Sequence, residues 1–217
     1  MSRLKEPYVA VFDIETTATL NEVPGSSRDC KMNALPVSCA SVVCVPRTMA
    51  LDPEKFESAI EHGSVKTYWR DVPGKDGMDK MIDVLDGADL IVGYNVLGFD
   101  FPVIKKHYKS EDQYRTHIIK THDVFYRVRE MSGYWPKLDA LLAVNRMACK
   151  TSSGLEAINM WHDGRLDELQ KYCEWDVRQT ARLALSKTLR VDHELVLPNH
   201  VFGVSSKLAA MDCSDAL

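Results

Sequence analysis

Asp13 and Glu15 stand one residue apart at the end of the apolar run Tyr8-Val9-Ala10-Val11-Phe12. β-Branched and aromatic residues at that density predict a short buried strand. Residues i and i+2 of a strand point to one face, so the two carboxylates are expected side by side. Two anions so placed repel each other unless a cation lies between them. A divalent ion with oxygen ligands, Mg²⁺ or Mn²⁺, is the simplest such cation, and pairing with a Lys or Arg is the plain alternative. The D-x-E spacing alone is weak, because Asp52-Pro53-Glu54 and Asp192-His193-Glu194 repeat it. Other segments must complete a site.

Two of them have the residues to do so. The apolar stretch Leu90-Ile91-Val92-Gly93-Tyr94 reads as a second buried strand and runs directly into Asn95-Val96-Leu97-Gly98-Phe99-Asp100. Far downstream, a helix is predicted over 164–187 with Asp163 as its cap. Tyr172 and Asp176 are i and i+4 on that helix, one turn apart on one face. Leu169, Cys173, Val177 and Thr180 share the face, so Tyr172 and Asp176 border its buried stripe and should point at the sheet.

The remaining elements position these three pieces. Ala18 to Asn33, with Pro24-Gly25-Ser26-Ser27, reads as a surface loop. Leu35 to Val45 reads as a central strand, Asp52 to His62 as a short helix or irregular excursion, and Val65 to Trp69 as a third strand. Helical spacing appears at Met78, Met81, Ile82 and Leu85, and again from Lys137 to Met147. A helix is expected over 101–109, and Thr116 to Val128 should contain a strand ending near Asp123. One domain over 1–217 follows, with 191–217 a C-terminal extension read as one strand and loose ends. Strands early and helices crossing between them predict an α/β fold with a mixed central sheet flanked by helices.

Composition narrows the classes of function. The chain has 217 residues, 45% hydrophobic and 27% charged, which is ordinary globular usage. No apolar run approaches a membrane span, and the N-terminus lacks the apolar core of a secretory signal, so an intracellular, cytoplasmic protein is expected, nuclear if the source is eukaryotic. The 6 cysteines form no C-x-x-C pair, which argues against structural zinc and a disulfide framework. A net charge of −4 excludes coating nucleic acid by bulk charge but not acting on it through a carboxylate site. Locally, 105–129 holds 7 Lys/Arg against 3 Asp/Glu, interleaved with Tyr108, Tyr114, Phe125 and Tyr126. Such a segment is ordinarily a solvated face, and after an acidic site it suits a strand's phosphates and bases.

Taken in order, D-x-E on a first strand, N-x-x-x-F-D after a later one and Y-x-x-x-D on a late helix resemble the three exonuclease motifs of the DEDD, or DnaQ-like, superfamily. That group has the ribonuclease H-like fold, and Tyr172 is similar to its tyrosine branch. GYNVLGFDFPVI also resembles the second exonuclease motif of family B DNA polymerases, whereas KLDALLAVN and the long segment from Lys150 look closer to stand-alone exonuclease domains. The resemblance covers roughly residues 7–188. It implies a 3′–5′ exonuclease using two Mg²⁺ or Mn²⁺ ions on a single-stranded DNA or RNA end and releasing nucleoside 5′-monophosphates. Asp13 is implied to bridge both ions, Glu15 and Asp176 to complete one shell, and Asp100 to hold the second ion. Tyr172 is implied to orient the attacking water. Thr16, Thr17, Asn95, Phe99 and Lys150 are implied substrate contacts, each with a local structural explanation beside it. A non-catalytic nucleic-acid-binding scaffold of the same fold, and an endonuclease of the ribonuclease H class, are the competing uses of these residues.

Overall fold

A computed structural model describes residues 6–50, 52–62, 65–149, 154–186, 188–192 and 195–198. In chain order the elements are β1 (Tyr8–Thr16), α1 (Arg28–Ala34), β2 (Val37–Pro46), α2 (Arg47–Ala50), α3 (Pro53–His62), β3 (Val65–Trp69), α4 (Met78–Asp86) and β4 (Leu90–Gly93). Then follow α5 (Asp100–Ile104) with a 3₁₀ turn over Lys105–His107, α6 (Glu111–Ile119), β5 (Thr121–Asp123), α7 (Val124–Ser132), α8 (Leu138–Val144), α9 (Gly154–His162) and α10 (Leu166–Leu185). A small hairpin of β6 (Thr188–Arg190) and β7 (Val196–Pro198) ends the described chain. Among the described residues no helix is long and apolar enough to cross a membrane.

The main sheet has the order β3-β2-β1-β4-β5. β1 pairs antiparallel with β2 and parallel with β4, so the sheet is mixed and β1 is its centre. Alternation along β1 then decides the layers. Val9 and Val11 face one core with Val177, Ala181 and Ala184 of α10 and Leu141 and Leu142 of α8. Ala10, Phe12 and Ile14 face the other, with Met81, Ile82 and Leu85 of α4 and Phe101 of α5. Asp13 and Glu15 continue the Val9/Val11 face, so they emerge where α10 crosses the sheet.

Several expectations are corrected. The 18–33 segment is not all loop, because Ser27 accepts a hydrogen bond from the Cys30 N–H (3.2 Å) and starts α1. The helix expected over 101–109 keeps α geometry only to Ile104, where α5 stops, and a 3₁₀ turn over Lys105–His107 follows. On either side of β5, the 116–128 segment contributes to two helices, α6 capped by Ser110 and α7 capped by Asp123. Asp163 does not cap the late helix. Gly164, at φ +71°, closes α9 in the left-handed region, and α10 begins only at Leu166. The C-terminal extension contains one strand of the β6–β7 hairpin, and its residues 199–217 lie outside the described residues.

Candidate active site

α10 is clamped to the sheet by polar contacts as well as by its apolar stripe. Ser41, the residue paired with Asp13 on β2, shares a hydrogen bond with Thr67 (2.9 Å), and Thr67 donates to Glu174 of α10 (3.1 Å). Gln170 donates to the same Glu174 carboxylate (2.7 Å). Farther along α10, Arg178 donates to the Ile60 carbonyl and Arg182 to Glu57 (2.6 Å), which ties α10 to α3. Cys173, fully buried, points its thiol at the Asp13 carbonyl (3.7 Å). These contacts fix Tyr172 and Asp176 opposite the end of β1.

The segment after β4 is held just as tightly. Gly93 is required there, since a Cβ would lie 2.1 Å from Val96. Asn95 sits at φ +61°, a left-handed conformation that Asn tolerates better than most residues, and its carbonyl accepts the N–H groups of Gly98 and Phe99. Asp123, at the end of β5, accepts from the Asn95 N–H (2.8 Å) and the Leu97 N–H (2.9 Å) while also capping α7 through Phe125 (3.0 Å). One buried carboxylate therefore sets the loop that delivers Asp100. Asp100 in turn accepts the Ile14 N–H at 3.2 Å, which joins the β4 segment to β1 between the two acids.

All of this converges on one cleft of about 390 Å³. Asp13, Glu15, Asp100, Tyr172 and Asp176 line it, together with Asn95 and Phe99. Among the described residues that line it, Lys137 is the only Lys or Arg. Glu15, Asp100 and Asp176 are more than nine-tenths buried. Burial, with the Asp123 carboxylate nearby, pushes the Asp100 carboxyl well above the ordinary range. Thr16 and Thr17 are not lining residues. The Thr16 hydroxyl donates to the Ala18 carbonyl (2.9 Å), and the Thr17 carbonyl bonds His162 (2.8 Å). Lys150 lies outside the described residues.

The donor chemistry suits a hard divalent cation. Carboxylate oxygens of Asp13 and Glu15 and the Cys173 sulfur lie within 4.8 Å of one another. If both acids are ionised, that spacing costs roughly 3 kcal/mol or more at an effective dielectric near 20. Burial keeps the Cys173 thiol protonated far above its usual range, so the ligands offered are oxygens, which Mg²⁺ and Mn²⁺ prefer.

A model of the ribonuclease H superfamily matches residues 60–186, more than half of the chain. The chain belongs to that superfamily. Among solved structures, this ribonuclease H superfamily chain is similar to the family B DNA polymerase from the hyperthermophilic archaeon Pyrobaculum calidifontis, at 19% identity and a TM-score of 0.52. The match covers 83% of this chain and 24% of the polymerase, and it is a likeness of fold. A product-bound exonuclease I also matches, at 14% identity and a TM-score of 0.41, over 77% of this chain and 46% of that one. The chain thus spans a quarter to a half of these proteins. No curated protein matches it.

Asp123 is the site residue that the D-x-E, N-x-x-x-F-D and Y-x-x-x-D spacings do not flag. Its signal was present in the sequence, as an acid ending a short β-branched and polar strand directly before a helix, the pattern of an N-cap.

Proposed function

We propose that this chain is a divalent-metal-dependent 3′–5′ exonuclease of the DnaQ-like tyrosine branch. One observation carries the reading: four carboxylates and a phenol from three separated segments line a single cleft. Asp13, Glu15, Asp100 and Asp176 would hold the ions. Bound there, two Mg²⁺ or Mn²⁺ ions would supply Lewis acidity, lowering the pKa of a water and neutralising phosphate charge.

The chain's own groups do the rest. The four acids fix where a scissile phosphate can sit, because a phosphodiester can approach so acidic a cleft only with cations between. The Tyr172 phenol is placed to orient a water by hydrogen bonding, a role that suits a group whose ordinary pKa is near 10. Asn95, in its left-handed turn, and Phe99, beside Asp100, are positioned to meet the terminal nucleotide. Lys137 on the rim offers a cation to a phosphate. Asp123 acts through the Asn95–Asp100 loop and is a positioning residue.

Gel-resolved digestion of matched 5′-labelled DNA and RNA oligonucleotides, with Mg²⁺, Mn²⁺ or EDTA, tests the reading. Stepwise shortening from the 3′ end, stopped by EDTA, is expected, and the faster ladder names the sugar. Undiminished cutting of a 3′-blocked strand would instead point to an endonuclease, and binding without cutting to a non-catalytic module.

A further inference from the structure

Large apolar side chains exposed among the described residues are concentrated in one segment of the chain. Of eight, four fall within ten residues: Tyr126, Met131, Tyr134 and Trp135. Trp135 is 63% exposed. Scattered surface apolar residues need no explanation, but a cluster of this size does.

The cluster is also ordered. The Arg129 guanidinium carbon lies 3.5 Å from the centroid of the Trp135 ring, stacked on one face. Phe125 meets Trp135 edge-on (5.8 Å, 66°), and Tyr94 meets Phe125 in the same way (5.8 Å, 65°). The Tyr94 hydroxyl donates to the Pro136 carbonyl (2.7 Å), which pins the chain on the far side of Trp135. Gly133, in the left-handed region at φ +75°, turns the chain out of α7 to begin this loop. Arg129 covers one face of the Trp135 ring and Phe125 meets the ring at a steep angle, yet Trp135 remains 63% exposed, which leaves area for a further ring to stack.

The ladder of rings is continuous with the acidic cleft, since two of its members, Tyr94 and Phe125, line the cleft together with Pro136, the residue after Trp135. The aromatic residues in 105–118 are not part of it: Tyr108 and Tyr114 pack edge-to-face at 5.2 Å, and the Tyr108 hydroxyl bonds His117 inside the structure. An aromatic face preset by an arginine and leading into a phosphodiester-sized acidic cleft fits an unpaired nucleobase. A flat π face stacks any base, and within a duplex the base faces are already covered by stacking on their neighbours.

We propose that Trp135, held by Arg129 and Phe125, is a stacking platform for a base upstream of the 3′-terminal nucleotide. The proposal rests on the exonuclease reading for the direction of the strand. Stacking of one base on an aromatic side chain is worth about 1–3 kcal/mol, or roughly 5- to 150-fold in affinity.

The test is fluorescence anisotropy with 5′-fluorescein-labelled deoxythymidine decamer in Ca²⁺, a hard cation that can occupy the acidic cleft, read within a time in which a parallel gel shows no shortening. Trp135→Ala is expected to weaken binding by at least about fivefold and Trp135→Phe by less. On the unaltered protein, a single abasic site should cause a comparable loss at one upstream position and little at the others. At that position the abasic substitution should add nothing further in Trp135→Ala. Equal affinity of wild type and Trp135→Ala, or an abasic penalty that the variant keeps in full, overturns the platform. Absence of mononucleotide release with Mg²⁺ or Mn²⁺, while the binding differences persist, overturns the exonuclease reading and leaves the platform standing.

Discussion

Asp86 and Asp13 both place a carboxylate at the end of an element, and their surroundings differ in kind. At Asp86, the last residue of α4, His117 bonds one carboxylate oxygen (2.7 Å) and Gln113 the other (2.7 Å). Tyr108 bonds the second His117 nitrogen (2.8 Å), and Lys120 donates to the carbonyls of Leu85, Asp86 and Ala88, where a cation at a helix C-terminus is favoured. Asp13 instead shares its cleft with Glu15, Asp100 and Asp176. The first cluster matches each polar group to a partner of opposite character and ties α4 to α6. The second gathers like charges from three distant segments, an arrangement that local stability disfavours and that a bound cation reverses. The difference teaches where to look for function: in the cluster that the fold alone leaves costly.

If that contrast is right, substitutions in the two clusters should fail in opposite ways. Asp13→Ala or Asp176→Asn should lower nuclease activity on the order of 10³-fold or more. The same variants should melt, in EDTA, no lower than wild type by calorimetry, since relieving the repulsion offsets lost contacts. A large loss of metal-free stability would place Asp13 with the structural acids.

Next in size is Asp123, which belongs to both sides of the comparison. Asp123→Ala removes a helix cap and two further N–H bonds to a charged acceptor, and should cost about 2–4 kcal/mol in urea unfolding. Activity should fall as well, because the Asn95–Asp100 loop loses its anchor. Asp123→Asn, which keeps an acceptor for the cap, should recover part of both, and equal damage by Ala and Asn would contradict the positioning role.

A smaller effect is expected at Tyr172. Tyr172→Phe keeps the ring and removes the hydroxyl, and should slow turnover by about 10- to 100-fold, less than loss of a metal-holding acid. Full activity in steady-state assays would mean that the ring matters and the phenol does not.

The smallest expected effect sharpens the structural side. Burial holds His117 below the ordinary histidine pKa, with Lys120 adding to the effect. The unfolded chain therefore takes up the proton first. This contribution to stability is present above about pH 6.5 and is lost as pH falls through the lower folded value. Unfolding free energy should decline between about pH 7.5 and 5.5, and less steeply in His117→Gln. Some decline should remain in the variant, because burial also depresses His107. An unchanged slope would remove His117 from this role.

Much of the arrangement was legible in the sequence because it depends on periodicity. The i and i+2 spacing of Asp13 and Glu15, the apolar run of β4 and the Leu169/Cys173/Val177 stripe of α10 each determine a face, and faces determine what meets. What was not legible depends on partners far away in sequence or on single caps. α1 and α9 are short helices whose starts and stops rest on Ser27 and Gly164. Asp123 looks like any strand-end acid until the loop it holds, 26–28 residues earlier, is folded over it. Trp135 carries no periodic signal at all, and its value comes from Arg129 and Phe125.

The central claim is that Asp13, Glu15, Asp100 and Asp176 together form one metal-dependent site. Release of nucleoside 5′-monophosphate from a 3′-end-labelled single strand in Mn²⁺, compared between wild type and the four single alanine variants, tests it most directly. Wild type should release the nucleotide until EDTA is added, and each variant should lose nearly all release while remaining folded. Wild-type release by any one of the four variants would contradict the claim.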